Sequence, residues 1–153
     1  MEFAFSLTLP REALSIPVAR NILGATMLHL GIAKPCVEDV EIVVTEACTN
    51  VLRHAESDSA DYEVEVSLTN TRADIKIKDR GPGFDQTSLN QSRALDPTEE
   101  GGRGILLMRA LVDRIEFRND PASGTIVHLT KNLVLADGSV LDHGGHPKQH
   151  TSR

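Results

Sequence analysis

Asp79 to Asp85 reads DRGPGFD, and upstream of it Ala33 to Glu56 reads AKPCVEDVEIVVTEACTNVLRHAE. In the longer stretch Val37, Val40, Val44, Ala47 and Val51 recur at helical spacing, which predicts an amphipathic helix from about Pro35 to Ala55. Glu46, Asn50 and His54 then stand at i, i+4 and i+8 on one face of it, with Thr49 and Arg53 alongside. Further on, Gly101 to Met108 reads GGRGILLM, a second glycine segment opening an apolar helix. The three segments in this order are more specific than any one of them.

Working outward, Glu2 to Leu9 alternates as a strand with one buried face and stops at Pro10. Ile16, Ala19, Leu23, Met27 and Leu30 give a helical period between Arg11 and Gly31, and Gly31 supplies a stop. After a polar loop from Glu56 to Asp61, Tyr62 to Leu68 and Ala73 to Lys78 alternate on either side of a turn at Asn70 to Arg72. That pattern predicts a hairpin whose second strand delivers Asp79 to its end. Phe84 to Glu100 is polar and aperiodic. At about 17 residues it is long for a connection inside a compact domain, so it is either a functional lid or disordered. A helix over Arg103 to Leu111, a short strand over Arg114 to Arg118, a turn at Pro121 to Gly124 and a strand over Gly124 to Lys131 follow. The order predicts an α+β two-layer sandwich, a mixed and mostly antiparallel sheet with helices on one face. Residues 1–135 form the expected domain. Residues 136–153 are poor in apolar side chains and carry three of the six histidines. They read as a disordered, solvated tail rather than a metal-binding one.

A chain of 153 residues suits one domain with a sizeable core. With no Trp and few aromatics, that core must be built from Leu, Ile, Val and Ala. Sixteen basic residues against 22 acidic ones give a formal charge of −6, which disfavours direct nucleic-acid binding. No apolar run approaches the roughly 18 residues of a membrane span. The acidic start at Glu2 lacks the pattern of a signal peptide. Cys36 and Cys48 lack CxxC spacing and read as ordinary thiols. A cytoplasmic protein with no membrane contact is expected.

Each segment supports a definite chemistry and a plainer alternative. The Asn50 amide oxygen is a hard donor that can complete an octahedral Mg2+ beside phosphate oxygens and water. Glu46, one turn earlier, can take a proton from an attacking hydroxyl. Equally, this is the solvated face of an amphipathic helix, and His54 either contacts phosphate or packs near the helix end. Gly81 and Gly83 can take φ > 0 and let a planar ligand or phosphate approach the backbone. Asp79, held at a strand end, can accept a hydrogen bond from an exocyclic amine such as that of adenine. The competing reading is a Gly/Pro turn capped by Asp. GGRG puts backbone N–H groups, a helix N-terminus and the Arg103 guanidinium where an anion would be favoured. Otherwise it is a hinge before a core helix.

Taken together the segments resemble the Bergerat-fold ATP-binding family, which includes gyrase, Hsp90, MutL and histidine-kinase ATPase domains. EIVVTEACTNVLRHA resembles its N-box, DRGPGFD its first glycine box and EEGGRGILLMRALVDRIEF its second. More narrowly, the small size and the TEACTN…RHA and GGRGILLMRALVD forms are similar to the anti-sigma-factor serine kinases. The likeness runs from about Phe3 to Lys131. It implies ATP and Mg2+ as cofactors, Asn50 as metal ligand, Glu46 as general base and Asp79 on the adenine amine. It further implies that Gly81 and Gly83 shape the base pocket and that Arg103 and Gly104 close on the phosphates. Thr130 would be a second polar contact near adenine, and Asp85 to Gly102 the ATP lid.

The same resemblance implies a homodimer that sequesters an RNA polymerase sigma factor. It would also phosphorylate a serine on a STAS-type anti-anti-sigma antagonist. The alternative is a non-catalytic regulator that binds nucleotide and sequesters a partner. Glu46 speaks against that, since binding needs Asn50 but no base.

Overall fold

The computed structural model describes residues 1–53, 61–79, 100–120 and 124–144. Within them lie strand β1 (Phe3–Pro10), helices α1 (Ser15–His29) and α2 (Lys34–Arg53), and strands β2 (Asp61–Leu68) and β3 (Arg72–Asp79). Helix α3 (Glu100–Leu111), strands β4 (Arg114–Asp120) and β5 (Gly124–Asn132) and a 3-10 turn (Val140–Gly144) complete them. The strands form one sheet in the order β1-β2-β3-β5-β4, and every pairing is antiparallel.

Strand parity separates the two faces of this sheet. Tyr62, Val64, Val66 and Leu68 of β2, Ala73, Ile75 and Ile77 of β3, and Val127 and Leu129 of β5 are all buried. The residues between them include Glu63, Glu65, Lys76 and Lys78 and are only half-buried or exposed. The buried set meets Ala19, Leu23 and Met27 of α1, Val37, Val40, Val44, Ala47 and Val51 of α2, and Met108 of α3 in one core. This is the two-layer α+β sandwich expected from the pattern, with its helices on one side. β-Branched residues alternating along strands, and Val repeating at helical spacing on α2, allow no other pair of faces to be dry.

Helix α1 starts at Ser15, four residues later than the period from Arg11 suggested. Arg11 to Leu14 turn back on Pro10 instead, with Glu12 N donating to Pro10 O and Ser15 N to Glu12 O. At its other end, Gly31 N donates to Leu28 O and Ile32 N to Met27 O, a Schellman stop that requires the positive φ of 82° taken by Gly31. Lys131 of β5 ties the helices together: its Nζ donates to Asp39 Oδ2 on α2 at 3.1 Å and to Leu111 O at the C-terminus of α3 at 2.6 Å.

Residues 136–144 do not behave as the expected solvated tail. Ile32 and Leu135 form a bridge, Ala136 N donates to Gly31 O, and Ser139 Oγ donates to Leu30 O at 2.7 Å. Leu141 and Ser139 are buried. The segment straps the α1–α2 corner because that corner leaves backbone carbonyls and an apolar notch to be covered. Residues 145–153 lie outside the described residues.

Candidate active site

Asp79 closes β3 with the same parity as Ala73, Ile75 and Ile77, so it faces the helix layer, and it is buried. Its register partners are Tyr62 on β2 and Thr125 on β5. Thr125 is buried too. Above them lies the C-terminal half of α2. The Cys48 thiol is hydrogen-bonded to Tyr62, and the Tyr62 hydroxyl meets Ser15 Oγ at 2.6 Å. Burial pushes the Cys48 thiol up to about 12. Burial first, and the adjoining Cys48 second, raise the Tyr62 phenol as well. Both groups are therefore neutral floor, not chemistry.

Glu46 and Asn50 lie one turn apart on α2, Asn50 buried and Glu46 half-buried. The first turns of α3 come down directly on them. A Cβ placed on Gly104 would lie 2.7 Å from Glu46 Oε2 and 3.8 Å from Asn50 Oδ1. Any larger residue there would drive into the Glu46 carboxylate. Asp79 is linked to the same end of α2 by one guanidinium: Arg11 donates through Nη1 to Val51 O at 3.2 Å and through Nη2 to the Asp79 carboxylate. The glutamate, the asparagine, the glycine helix and the strand-end aspartate thus converge on one end of the sheet. Beside Glu46 a groove of about 570 Å³ opens between α1 and α2, lined by Arg20, Glu38, Glu41, Ile42 and Thr45.

Of the remaining residues singled out from the sequence, Arg103 is exposed on α3, one residue before Gly104. The helix begins at Glu100, three residues earlier than expected, so Arg103 and Gly104 lie within its first turns. His54, Gly81 and Gly83 lie outside the described residues, as does the expected lid apart from its last turn.

Thr130 is a correction. It stands five positions beyond Thr125 on β5, about 16 Å along the strand at 3.3 Å per residue, and the odd offset turns it to the other face. There its Oγ1 donates to Asp74 Oδ1 at 3.0 Å, beside His128 Nε2 at 2.9 Å. The threonine next to Asp79 is Thr125, directly after the turn glycine Gly124. Sequence reasoning also missed Arg11. Strand parity, with Val127 and Leu129 facing the core, would have favoured Thr125 over Thr130; nothing local in the sequence marks Arg11.

The donor set fits a magnesium nucleotide. Asn50 supplies a neutral hard oxygen and Glu46 an ionisable one, on a surface kept clear by a glycine. Among the described residues no three His, Cys, Asp or Glu side chains come together as a cage. A Mg2+ held here would draw its other ligands from phosphate and water, as that ion commonly does.

A two-layer antiparallel sandwich with Asn and Glu on its second helix, opposite a strand-end Asp, defines an ATP-binding domain of the Bergerat type. The chain belongs to the histidine kinase-like ATPase domain family, whose sequence pattern matches residues 9–131. Its relatives include the serine-protein kinase RsbW of Bacillus velezensis, 31% identical over 147 residues, which are 90% of this chain and 89% of that one. RsbW of Halalkalibacterium halodurans is 30% identical over 134 residues, covering 83% of this chain and 82% of its own. RsbW of Bacillus subtilis is 30% identical over 146 residues, with coverage of 90% and 88%. The crystal structure of the RsbU and RsbW domains of Rv1364c from Mycobacterium tuberculosis superposes with a TM-score of 0.65 at 16% identity. The match spans 88% of this chain and 34% of that one, a likeness of fold.

Proposed function

We propose that this protein is an ATP-dependent serine-protein kinase and an anti-sigma factor. It binds an RNA polymerase sigma factor and phosphorylates a serine of a STAS-type antagonist. The observation that carries this reading is the approach of Gly104 to Glu46 and Asn50. It joins the second glycine segment to the helix bearing a base and a metal-capable amide. Similarity to serine-protein kinases over nine-tenths of the chain supports the same activity.

In this reading Asn50 holds Mg2+, which neutralises phosphate charge when bound. Asp79 and Thr125 receive the adenine edge, and Arg103 with the N-terminal turn of α3 faces the phosphates. Glu46 accepts the proton of the incoming serine hydroxyl, and the groove beside it gives that serine access. Positioning and electrostatics supply most of the rate in phosphoryl transfer. The protein works as a cytoplasmic homodimer. No described helix is long and apolar enough to cross a membrane, in keeping with that location.

Incubation with Mg-ATP and a STAS-domain antagonist is the direct test. Phosphoserine should appear on the antagonist, and Glu46→Ala should lower its rate by about 10²- to 10⁴-fold, the usual weight of a general base. ATP binding with no transfer, and no effect of the substitution, would leave a nucleotide-dependent sequestering protein in place of a kinase.

A further inference from the structure

Arg11 has a side chain only 7% exposed, against 9% for Asp79. It reaches across from the end of β1 to two different elements, holding Val51 O at the end of α2 and the Asp79 carboxylate at the end of β3. Its Nε is buried and has no hydrogen-bond partner among the described residues. A buried guanidinium with one donor unmatched is costly. If structure alone were at stake, a capping side chain of smaller charge could serve Val51. What a planar fork adds is a hold on one carboxylate oxygen from a group anchored at a second point on the backbone.

We propose that Arg11 is a positioning residue for base recognition: it orients Asp79 so that its carboxylate meets the exocyclic amine of adenine. The inference rests on the assignment of Asp79 to the base given above. Arg11 itself does not bind the amine. Guanidinium and amine present donors to one another, and both need the acceptor between them. Nor does Arg11 block the base site as a substitute ligand. Withdrawing it would strip two hydrogen bonds from a buried cation and break its ion pair with the Asp79 carboxylate.

The experiment compares Mg-ATP with purine riboside triphosphate, which is ATP without its 6-amino group, by calorimetry on the full chain. Wild type should bind ATP more tightly than the analogue. Arg11→Met should weaken ATP binding about tenfold and the analogue by less than about twofold, the loss expected when one hydrogen bond is misaligned. Arg11→Lys, which keeps the charge but not the fork, should fall between and carries the comparison if the methionine variant does not fold. Equal weakening of both nucleotides would reduce Arg11 to a structural prop. Tighter ATP binding would make it a competitor of the base. Either result overturns the inference while leaving the nucleotide site intact. A wild type that binds ATP and the analogue equally well would instead remove Asp79 from the base and this inference with it.

Discussion

At the scale of single residues, Gly104 separates stability from chemistry. A glycine inside a helix is about 0.8–1 kcal/mol less favourable than alanine, so Gly104→Ala should leave the melting temperature unchanged or raise it. The added methyl would fall 2.7 Å from Glu46 Oε2, the movable end of a side chain, and the carboxylate would give way. Phosphoryl transfer should then drop by at least about tenfold, as expected for a displaced base, while ATP affinity stays within a few-fold. Full turnover in a well-folded Gly104→Ala protein would show that Glu46 need not sit where it does. The glutamate and asparagine were legible because helical spacing fixes which side chains share a face. Asp79 was legible because alternation fixes where a strand ends. Thr130 went wrong on both counts: parity with Val127 and Leu129 turns it away from the core, and register against β3 sets it opposite Asp74 rather than Asp79. With Asp79 opposite Thr125 and Asp74 opposite Thr130, only one threonine shares the Asp79 end, and pairing decides which. Arg11 was invisible for a related reason: its partners lie 40 and 68 positions away.

At the scale of elements, the corner between α1 and α2 departs furthest from what composition implies. The residues after Leu135 lack any apolar period, yet Leu141 is 1% exposed and Val140 beside it 43%. One inserted leucine and one buried serine suffice to dock a strap when the surface beneath is a helix stop with carbonyls to satisfy. Periodicity cannot register so short a contact. Leu141→Ala should therefore cost about 2–5 kcal/mol in a urea titration, the range for an emptied core position. Val140→Ala should cost less than about 0.5 kcal/mol, as for a surface change. Equal, small effects at both positions would mean that the strap is not part of the cooperative unit. The residues leading into the strap also hold the turn from which α2 starts. Val134 N donates to Cys36 Sγ at 3.4 Å, and Ala33 N donates to Val134 O at 2.8 Å.

At the scale of the whole molecule, the two faces of the sheet answer pH in opposite directions. On the solvent face burial alone would raise the Asp74 carboxyl. Hydrogen bonds from His128 and Thr130 and the charge of Arg72 outweigh it and hold the group below its ordinary 3.8. A lowered carboxyl contributes stability that is present above the unfolded value and lost as pH falls through the folded one, so this face loosens only in strong acid. On the core face the Cys48 thiol rises from 9.0 to about 12 and the Tyr62 phenol also rises, burial being the first cause for both. Each folded state holds its proton more tightly than the unfolded chain. Their contribution is intact below pH 9 and is lost as pH climbs from there toward 12. The protein should melt at a nearly constant temperature near neutrality and at a steadily falling one above about pH 9. Cys48→Ala should lower the plateau through its cavity and make the alkaline decline shallower, because one of the two titrating groups is gone. The same burial predicts that Cys48 resists a thiol reagent at pH 8 in the native protein and reacts once the chain is unfolded in urea. Rapid native labelling at Cys48, or an alkaline slope untouched by its removal, would mean that α2 does not seal the end of the sheet. The proposed nucleotide site would then lose the dry floor formed by Cys48 and Tyr62.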